Sequence, residues 1–437
     1  MAPGSSNRQP WASTIAGRIV LNGLVVLAIA LGAAARIWGA SVAGDIADVS
    51  AYRHHVFLVE TGKNVYNADT RYPYFPGWLG IEMAVWWVSQ STHWLFWWAI
   101  RMVIVGGDVA TSFAVWWVAA GSSGSARGRL AAIVYSLSPI AILISGNHGQ
   151  FDALPTLLSV VAVGLLIGRA RPVPAGILLG AAMALKPFPA LLLPIILRAP
   201  ELTWRARLIA CTLSGVVVLA VTAPFLILDP TAVLRNVGGY GGLNDQGFGG
   251  VLRSLWLFKD GNIHLPGEFG EEISATTRYV ALGAMASTLV LLWRAPIPRV
   301  AAAIYLAFLA TFGGISAQYL IWPVAWLVIA DLPIALAIAY SIVAAAEAIG
   351  FYLVYWPTMI LPETPFRGPA LTFIPVFVGT QIAGYVGLLG SYVAAIRRVA
   401  IPKLMLLPLA VCLAATALAI VPVIAQIQWF AMEWLRR

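Results

Sequence analysis

The sequence predicts an all-α polytopic membrane protein. Of its 437 residues, 60% are hydrophobic and only 10% are charged, and the mean hydropathy is +0.84. Apolar runs of about 20 residues, the length that an α-helix needs to cross a bilayer, recur along the chain. The 18 tryptophans suit the aromatic belts at the two surfaces of a membrane. These features exclude a soluble globular domain.

Ten apolar runs predict spanning helices, and two shorter stretches bring the expected total to about 11–13. The ten runs lie at 19–39, 97–119, 129–147, 152–168, 206–228, 275–293, 299–316, 332–355, 369–396 and 404–426. The shorter stretches are 174–197 and 318–330. The first carries Lys186, Pro187 and Pro189 at its middle. Because proline removes a backbone donor, a helix hairpin or a broken helix is expected there.

Several properties of the sequence exclude other classes of protein. The formal net charge is +9, but the basic residues form short clusters between apolar runs, which is typical of topology determinants and not of a nucleic-acid surface. Cys211 and Cys412 both fall inside apolar runs and indicate neither a disulfide framework nor a metal site. Arg18 precedes the first run without a clear small-residue cleavage site after it, which favours a retained span over a signal peptide.

Loop charges predict the orientation of the chain. Basic residues cluster in one set of loops, at Arg8, Arg18, Arg127, Arg129, Arg169, Arg171, Arg198, Arg205, Arg207, Arg294, Arg299, Arg397, Arg398 and Lys403. Acidic residues fall in the alternate loops, at Asp45, Asp48, Glu60, Asp69, Asp229, Asp245, Asp260, Glu268, Glu271, Glu272 and Glu363. Because basic loops tend to stay in the cytoplasm, the acidic loops are expected outside. This orientation requires the tryptophan-rich segment 78–88 to lie in the interface without crossing it.

Two outward loops are long, at 40–96 and 229–274. Loops of this length are usually functional or disordered. The second is glycine-rich but also carries aromatic and basic residues, so an ordered lid with hinges is expected. In the first loop, the segment 48–62 lacks proline and internal glycine, and it predicts a short helix lying on the membrane.

The first outer loop begins with an unusual concentration of ionisable groups. Asp45 and Asp48 follow the first apolar run, and Arg53, His54 and His55 stand beside them. A carboxylate at the membrane surface is suited to act as general base on a sugar hydroxyl, and two carboxylates about one turn apart are also suited to hold a metal. Helix capping by Asp48 is the alternative, but it does not account for the neighbouring basic residues.

Other polar segments interrupt the apolar pattern. Tyr72 belongs to a proline-flanked segment that predicts an extended turn by which the chain enters the membrane, and lining of a sugar site by its tyrosines is the alternative. His148, Gln150 and Asp152 follow the third apolar run, and polar groups at that depth usually face a cavity or a partner. Their alternative interpretation is a plain loop.

Several further cations and polar residues stand near the same outer ends. Lys186 lies within an apolar stretch, where it either holds an anionic headgroup or extends to the interface. The glycine-rich loop adds Arg235, Arg253 and Lys259, which either meet a phosphate or pair with nearby carboxylates. Gln318 and Tyr319 lie at an outer helix end, where packing of polar residues at a helix junction is the alternative.

Together, these segments resemble the GT-C class of integral-membrane glycosyltransferases, which use a polyprenyl-phosphate sugar as donor. The run DVSAYRH at 48–54 resembles the segment after the first span of the ER glucosyltransferases that extend the lipid-linked oligosaccharide. The run SAQYLIW at 316–322 resembles a segment of the catalytic subunit of GPI mannosyltransferase I. The runs HGQFD at 148–152 and ALKP at 184–187 are similar to segments of many bacterial members. The likeness extends to about residue 330, which suggests a catalytic module at 1–330 and variable C-terminal helices at 331–437.

The resemblance implies roles for particular residues. Asp48 would be the general base of an inverting transfer at the extracytoplasmic face, and Asp45 a helper or alternative base. Lys186, with Arg235 or Arg253, would hold the donor phosphate. The sugars would be hydrogen-bonded by Gln150, Asp152, Gln318 and Tyr319. The two aspartates are further apart than the Asp-x-Asp pair of some mannosyltransferases, so no cofactor is expected, and a divalent metal is left as the alternative.

The resemblance also implies partners and a location. The partners would be a polyprenyl-phosphate sugar, a lipid-linked or glycolipid acceptor and membrane lipids, but no nucleic acid, and the location would be a bacterial plasma membrane. Mannose is the expected sugar because of the likeness around Gln318 and Tyr319. A lipid-sugar transporter or flippase is the alternative, although no internal repeat is visible and the polar residues cluster at one face. A ligase that moves a whole glycan would be expected to carry more arginines at the outer site.

Overall fold

The computed structural model describes residues 15–45, 47–68, 72–361, 370–397 and 406–436. Regular structure in these ranges is helical, apart from one isolated antiparallel bridge between Gln246 and Ile315. The predicted all-α polytopic architecture is therefore confirmed. Five of the charged residues used to predict the orientation lie outside the described residues: Arg8, Asp69, Glu363, Arg398 and Lys403.

The first half of the chain builds the first outer loop and the helices around it. In order, these are α1 (Ile15–Ala43), α2 (Ala47–Glu60), α3 (Val65–Ala68), α4 (Gly77–Thr92), α5 (Phe96–Ser123), α6 (Ser125–Ser136), α7 (Pro139–Ile142), a π-helical turn (Leu143–His148), α8 (Ala153–Arg169), α9 (Pro172–Leu185), a 3₁₀ turn (Phe188–Leu191) and α10 (Leu192–Arg198). The predicted short helix at 48–62 is α2.

The second half continues with longer helices. In order, these are α11 (Trp204–Leu228), α12 (Pro230–Gly238), α13 (Gly247–Asp260), α14 (Phe269–Leu291), α15 (Ile297–Thr311), a 3₁₀ turn (Ala317–Ile321), α16 (Trp322–Ile329), α17 (Ile334–Tyr355), two 3₁₀ turns (Pro357–Met359 and Leu371–Phe373), α18 (Ile374–Ile396) and α19 (Leu406–Arg436). Helices α12 and α13 lie within the glycine-rich segment 229–274.

Six helices in the described part of the chain are long and apolar enough to cross a membrane: α1, α5, α11, α17, α18 and α19. A seventh crossing is formed if α6 and the bent segment Pro139–His148, inclined at 47°, count as one span. Five further apolar helices are shorter. The predicted count of about 11–13 is therefore not reached by helices of spanning length alone. Turns divide most of the remaining apolar runs into shorter helices, and α14, although 23 residues long, carries Glu271, Glu272 and Arg278. Helix α4 is not among the spanning candidates, as its interfacial interpretation requires.

The predicted break at Lys186 is present. Helix α9 ends at Leu185, and Lys186 adopts an extended backbone with φ −151° and ψ 140°. Pro187 and Pro189 then lead into the 3₁₀ turn. A proline disfavours helical backbone at the residue before it, which explains why the helix stops at this point. The break brings the Lys186 side chain to the polar end of α8.

Arginines join the basic loops at one end of the helix bundle. Arg127 donates to the carbonyl oxygens of Val328 and Ala330, at 3.2 and 2.6 Å. In the same way, Arg198 bonds the carbonyls of Trp293 and Ala295, and Arg299 those of Ala395 and Arg397. The polar cavity described below is lined by the loops that alternate with these. The arginines therefore donate to carbonyls at helix ends that lack an intrahelical partner, and they lie together at one end of the bundle.

A buried ion pair ties the first helices together. Arg36 of α1 donates from Nε to Oδ2 of Asp108 in α5 at 2.6 Å, and the Tyr135 hydroxyl of α6 donates to Oδ1 at 2.7 Å. Arg36 and Asp108 are both almost fully buried. Removing either partner would leave an uncompensated charge, which typically costs about 3–5 kcal/mol. This contact fixes α1, and hence the start of the first outer loop, against the bundle.

Candidate active site

A polar cavity of about 670 Å³ lies at the end of the bundle opposite the arginine loops. Its volume is within the usual range for small-molecule sites. Its lining comes from distant parts of the chain: Asp48, Ser50, Ala51, Tyr52, His54 and His55 of α2, Pro73, Tyr74, His148, Tyr240, Leu243, Asp245, Ala317 and Gln318, and Phe351, Tyr352, Trp356 and Met359. The last four lie beyond residue 330, so the proposed boundary between a catalytic module and C-terminal helices divides this cavity wall.

Asp48 occupies the first turn of α2, and its side chain reaches the segment that follows α7. His148 Nε2 lies 2.6 Å from Asp48 Oδ2, and Gln150 Nε2 donates to the same oxygen at 2.6 Å. Among the described residues, no donor is bonded to the second oxygen, Oδ1. The side chain is 35% exposed, whereas His148 and Gln150 are buried. Two buried groups therefore fix the carboxylate through one oxygen while it faces the cavity.

The turn between His148 and Gln150 depends on a glycine. Gly149 has φ 77°, in the left-handed region, and its amide and that of Gln150 both donate to the carbonyl of Ile144. A Cβ at Gly149 would lie 2.9 Å from Arg101 Nη1 and from Val49 Cγ2. The preceding π-helical turn, a rare element that often occurs at functional sites, brings both polar side chains to the cavity.

Arg101 of α5 holds the two segments that meet at Asp48. Its Nε donates to the carbonyl of Gly44 at 2.9 Å, near the start of the loop 40–96. Its Nη1 donates to the carbonyls of Gly146 and Asn147, at 2.5 and 3.2 Å. The side chain is fully buried. The guanidinium fork thus bonds carbonyls that precede both Asp48 and His148.

His148 has a second partner on α17. Its Nδ1 lies 2.7 Å from the hydroxyl of Tyr352, while its Nε2 faces Asp48. Tyr352 is 1% exposed. The three side chains form a continuous hydrogen-bonded chain from α2 to α17, and its two ends are about 300 residues apart in sequence.

Lys186 is buried in an ion pair beside this chain. Its Nζ donates to Asp152 Oδ2 at 2.6 Å and to Gln150 Oε1 at 3.4 Å. Trp322 Nε1 donates to the other oxygen of Asp152 at 2.5 Å. The ammonium also lies 5.0 Å from the ring centre of Phe151 and 5.8 Å from that of Tyr319. Lys186 therefore donates to the oxygen of the same Gln150 side-chain amide whose nitrogen donates to Asp48.

Asp245 faces the same cavity from the glycine-rich loop. The backbone amides of Asp245 and Gln246 both donate to the carbonyl of Ile315, at 2.8 and 3.0 Å, and fix this loop beside the 3₁₀ turn that carries Gln318. Its carboxylate binds Arg253 Nη1 at 2.5 Å, and the Arg253 guanidinium lies 4.3 Å from the ring centre of Tyr355. The cavity thus contains a second, largely buried carboxylate.

The two carboxylates have opposite pKa shifts. Burial alone would raise the pKa of Asp48, but the hydrogen bonds from His148 and Gln150 and the charge of Lys186 lower it overall. Burial raises the pKa of Asp245 to about 6, even though the charge and hydrogen bond of Arg253 oppose the shift. Carboxylates whose environments separate their pKa values often have different roles in catalysis.

A smaller, mostly apolar cavity of about 280 Å³ adjoins the first. The two share the lining residues Pro73, Tyr74 and Tyr240. The smaller cavity is lined otherwise by Lys186, Pro187, Phe188, Leu191, Val237, Gly238, Arg278, Phe308, Phe312, Tyr319 and Trp322. Arg278 donates to the carbonyl of Tyr240 at 3.1 Å. Two cations thus stand in an apolar pocket next to the polar one.

The structure brings most of the predicted residues together. Asp48, His54, His55, His148 and Gln318 line the larger cavity, and Lys186 and Tyr319 line the smaller one. His55 Nδ1 lies 3.1 Å from the buried Glu82. Gln150 and Asp152 support the site through Asp48 and Lys186, and Arg253 supports it through Asp245.

Other predicted residues lie outside both cavities. Asp45 forms a 3.0 Å ion pair with Arg53, which is 56% exposed and lines only a separate surface pocket. Tyr72 is buried behind the cavity, where its hydroxyl accepts from Leu79 N at 3.1 Å, and Tyr74 takes the lining position instead. Arg235 is exposed on the last turn of α12. Lys259 lies 4.5 Å from the ring centre of Trp434. The sequence pattern predicted the segment in which each of these residues lies, but not the direction in which its side chain points.

Sequence reasoning missed Arg101, Arg278 and Tyr352. An arginine inside the apolar run 97–119 was a visible signal, because charges at that depth usually have a partner or a function. Tyr352 gave no signal, since a tyrosine in an apolar run is typical of packing or of an aromatic belt.

The described residues contain no group of three or more His, Cys, Asp or Glu side chains arranged to hold a metal ion. Asp45 and Asp48, whose spacing in the sequence also suits a metal, bind different partners: Arg53 for the first, and His148 with Gln150 for the second. These contacts satisfy the two carboxylates separately.

Part of the chain matches a known protein family. Residues 48–200 match the family model described as alpha-(1->6)-mannopyranosyltransferase, N-terminal domain. No curated protein matches the chain at a significant level. The matched segment begins at Asp48 and includes His148, Gln150, Asp152 and Lys186. The match supports a membrane-bound mannosyltransferase, whereas the likenesses to ER glucosyltransferases and to GPI mannosyltransferase I stay predictions.

Proposed function

We propose that this protein moves a single mannosyl residue from a polyprenyl-phosphate donor to a lipid-linked or glycolipid acceptor at the extracytoplasmic face. Asp48 is the general base in this proposal, and the anomeric centre is inverted. The observation that carries the proposal is the Asp48 carboxylate, fixed by His148 and Gln150 and facing a 670 Å³ cavity, within the segment that matches a mannosyltransferase family.

Asp48 has the properties that a general base needs. Its lowered pKa keeps it ionised at neutral pH. Its Oδ2 is held by two donors, and Oδ1 is available for the hydroxyl of an acceptor sugar. Proton removal by a positioned carboxylate typically accelerates a reaction by about 10²–10⁴-fold. Asp45 lies outside the cavity, so we assign the base to Asp48 and not to Asp45.

The smaller cavity suits the donor. A polyprenyl phosphate combines a long apolar chain with an anion, and this cavity combines apolar walls with Lys186 and Arg278. Arg278 replaces Arg235 as the second cation of the proposal, because Arg235 does not line the cavity. Cations aimed at the departing phosphate stabilise the charge that develops as the sugar leaves.

The proposed transfer needs only the donor and the acceptor as reactants. The acceptor oxygen forms a bond to the anomeric carbon, and the bond from that carbon to the phosphate oxygen breaks, with its electron pair leaving on the phosphate. The hydroxyl proton passes to Asp48. Because Tyr74 and Tyr240 line both cavities, they border the point where the donor sugar and the acceptor hydroxyl would meet.

A panel of sugar donors tests which sugar is transferred and from which carrier. The purified protein, reconstituted in lipid, is incubated with polyprenyl-phosphate mannose, glucose and arabinose and a glycolipid extract, with GDP-mannose as a comparison. We expect transfer from polyprenyl-phosphate mannose only. Transfer from GDP-mannose, or donor translocation across the vesicle without any new glycosidic bond, would overturn the proposal and in the second case favour a transporter.

A further inference from the structure

We infer that Tyr352 is a positioning residue that sets the tautomer of His148, so that the imidazole donates to Oδ2 of Asp48 and leaves Oδ1 to take the acceptor's proton. The inference rests on the proposed role of Asp48. It adds to that role a hydrogen bond from α17, a helix that lies outside the segment matching the mannosyltransferase family.

The hydrogen-bond partners select one tautomer. A carboxylate only accepts, so the 2.6 Å contact between His148 Nε2 and Asp48 Oδ2 requires a proton on Nε2. A neutral imidazole then presents an acceptor at Nδ1, where the Tyr352 hydroxyl lies 2.7 Å away and donates. The opposite tautomer would set a lone pair against the carboxylate. At the other contact, the Tyr352 hydroxyl would have to accept from Nδ1–H, and its own proton would need another acceptor.

A doubly protonated imidazole fits less well. It would donate from Nδ1 to the tyrosine oxygen, and the hydroxyl proton of Tyr352 would need another acceptor. Among the described residues, Tyr352 has no second hydrogen-bond partner. Tyr352 as a whole is only 1% exposed, so water has little access to its hydroxyl as a second hydrogen-bond partner. The charged groups near His148 include Asp48 and, across the cavity, Asp245. Arg101 lies against Gly149, and Lys186 donates to Gln150.

The tautomer matters for the chemical step. With Nε2–H and the Gln150 amide both on Oδ2, the carboxylate cannot rotate, and Oδ1 is the oxygen presented to the acceptor. Without the tyrosine hydroxyl, Nδ1 loses the donor that keeps it unprotonated, and forms of the imidazole with a proton on Nδ1 become accessible. In the form protonated only at Nδ1, the carboxylate loses a donor. Fixing a histidine tautomer through its second nitrogen is a general way in which outer partners orient a reacting group.

Nitrogen NMR measures the tautomer directly. The full-length protein is labelled with ¹⁵N-histidine and reconstituted in lipid nanodiscs at neutral pH. The chain has five histidines, so the His148→Gln variant identifies the signals of His148 by their loss. We expect one protonated nitrogen, Nε2, and one bare nitrogen, Nδ1. In Tyr352→Phe, we expect a mixture of forms and a kcat reduced roughly tenfold, with little change in KM for the donor.

A matched control comes from the same helix. Tyr340 is also buried, and its hydroxyl donates to the carbonyl of Leu320 at 2.8 Å. It lies 12 residues before Tyr352, about 18 Å along the helix. Tyr340→Phe should leave the His148 tautomer unchanged.

The wild-type spectrum can contradict the inference even if a variant does not fold. A proton on Nδ1, or protons on both nitrogens, would contradict it, as would an unchanged tautomer in Tyr352→Phe. Full turnover by Asp48→Asn would instead refute the proposed base, while the tautomer result would stand on its own.

Discussion

Arg101 donates a hydrogen bond from Nη1 to the carbonyl oxygen of Gly146 at 2.5 Å. Through Nε, the same guanidinium bonds the carbonyl of Gly44. One buried side chain therefore ties the start of the first outer loop to the turn that carries His148. The position of the Asp48 carboxylate relative to its donors depends on this connection.

Replacing Arg101 with lysine should separate the two segments. A single ammonium lacks the planar fork that bonds both Gly44 and Gly146, so one carbonyl is left without its donor. We expect transfer to fall by more than about tenfold, with a moderate loss of thermal stability. The control is Arg53→Lys, on the exposed ion pair with Asp45, which should change neither the rate nor the melting temperature appreciably. Wild-type rates in the Arg101 variant would contradict the connection.

Gly149→Ala should damage the site by crowding. The added Cβ would lie 2.9 Å from Arg101 Nη1, and the left-handed backbone is itself strained for alanine. Gly62 provides the matched control, because its φ is 73° but a Cβ there would meet nothing within 4 Å. Gly62→Ala thus measures backbone strain alone, of roughly 1 kcal/mol. We expect the Gly149 variant to lose both more stability and most of its transfer rate. Equal effects in the two variants would argue against crowding at Arg101.

Near neutral pH, the titration of Asp245, and not that of Asp48, should determine how the transfer rate depends on pH. The same pKa shifts determine how each carboxyl contributes to stability. The folded pKa of Asp245 is raised to about 6, so the stability from its protonated form is complete below the ordinary value of 3.8 and is lost as the pH rises through about 6. At neutral pH the ionised form binds Arg253. The stabilising contribution of the Asp48 carboxylate, with its lowered pKa, is lost only as the pH falls below the ordinary value of 3.8.

We therefore expect the transfer rate to decline as the pH falls through about 6, as Asp245 is protonated and its pairing with Arg253 weakens. This inflection should be absent from Asp245→Asn. Glu272→Gln, at an exposed site on α14, is the control and should retain it. An unchanged acid-side inflection in Asp245→Asn would assign that inflection to a different group.

Lys186→Met should destabilise the protein by about 3–5 kcal/mol, because Asp152 would be left as an uncompensated buried charge. The double variant Lys186→Met/Asp152→Asn removes that charge while keeping an acceptor for Trp322. We expect it to recover most of the melting temperature but not the transfer rate, since the cation proposed for the donor phosphate is still absent. A double variant as active as the wild type would show that Lys186 is only structural.

The predicted orientation is tested by cysteine labelling in a Cys211→Ser/Cys412→Ser background. A cysteine at Asn262, exposed on the cavity side, should react with a membrane-impermeant maleimide in intact cells. One at Ser123, exposed on the arginine side, should react only after the membrane is permeabilised. The reverse pattern would place the cavity in the cytoplasm.

Much of the fold was predictable from hydrophobic pattern. Apolar runs located the long helices, because length and polarity alone decide whether a helix suits a bilayer. The proline pair around Phe188 predicted the break after α9. The number of full crossings was less predictable, since short apolar helices that end at polar turns have the same composition as parts of longer ones.

The candidate site was predictable only where polar residues interrupt an apolar run. Asp48, His148, Gln150 and Lys186 stood out for that reason, and the structure brings them together. Tyr352 did not, because its contact with His148 joins positions 204 residues apart. Lys259 was predicted as a phosphate ligand, but it packs on Trp434 instead, since loop composition does not determine which way a side chain points.

The most direct test of the proposed function compares Asp48→Asn with the wild type in transfer of labelled mannose from polyprenyl-phosphate mannose. Asparagine keeps the shape of the side chain but cannot act as the base, so we expect transfer to fall by at least about 10²-fold, with an unchanged melting temperature. Asp45→Asn, outside the cavity, should retain most of the activity. Full transfer by a folded Asp48→Asn protein would contradict the assignment of Asp48 as the catalytic base.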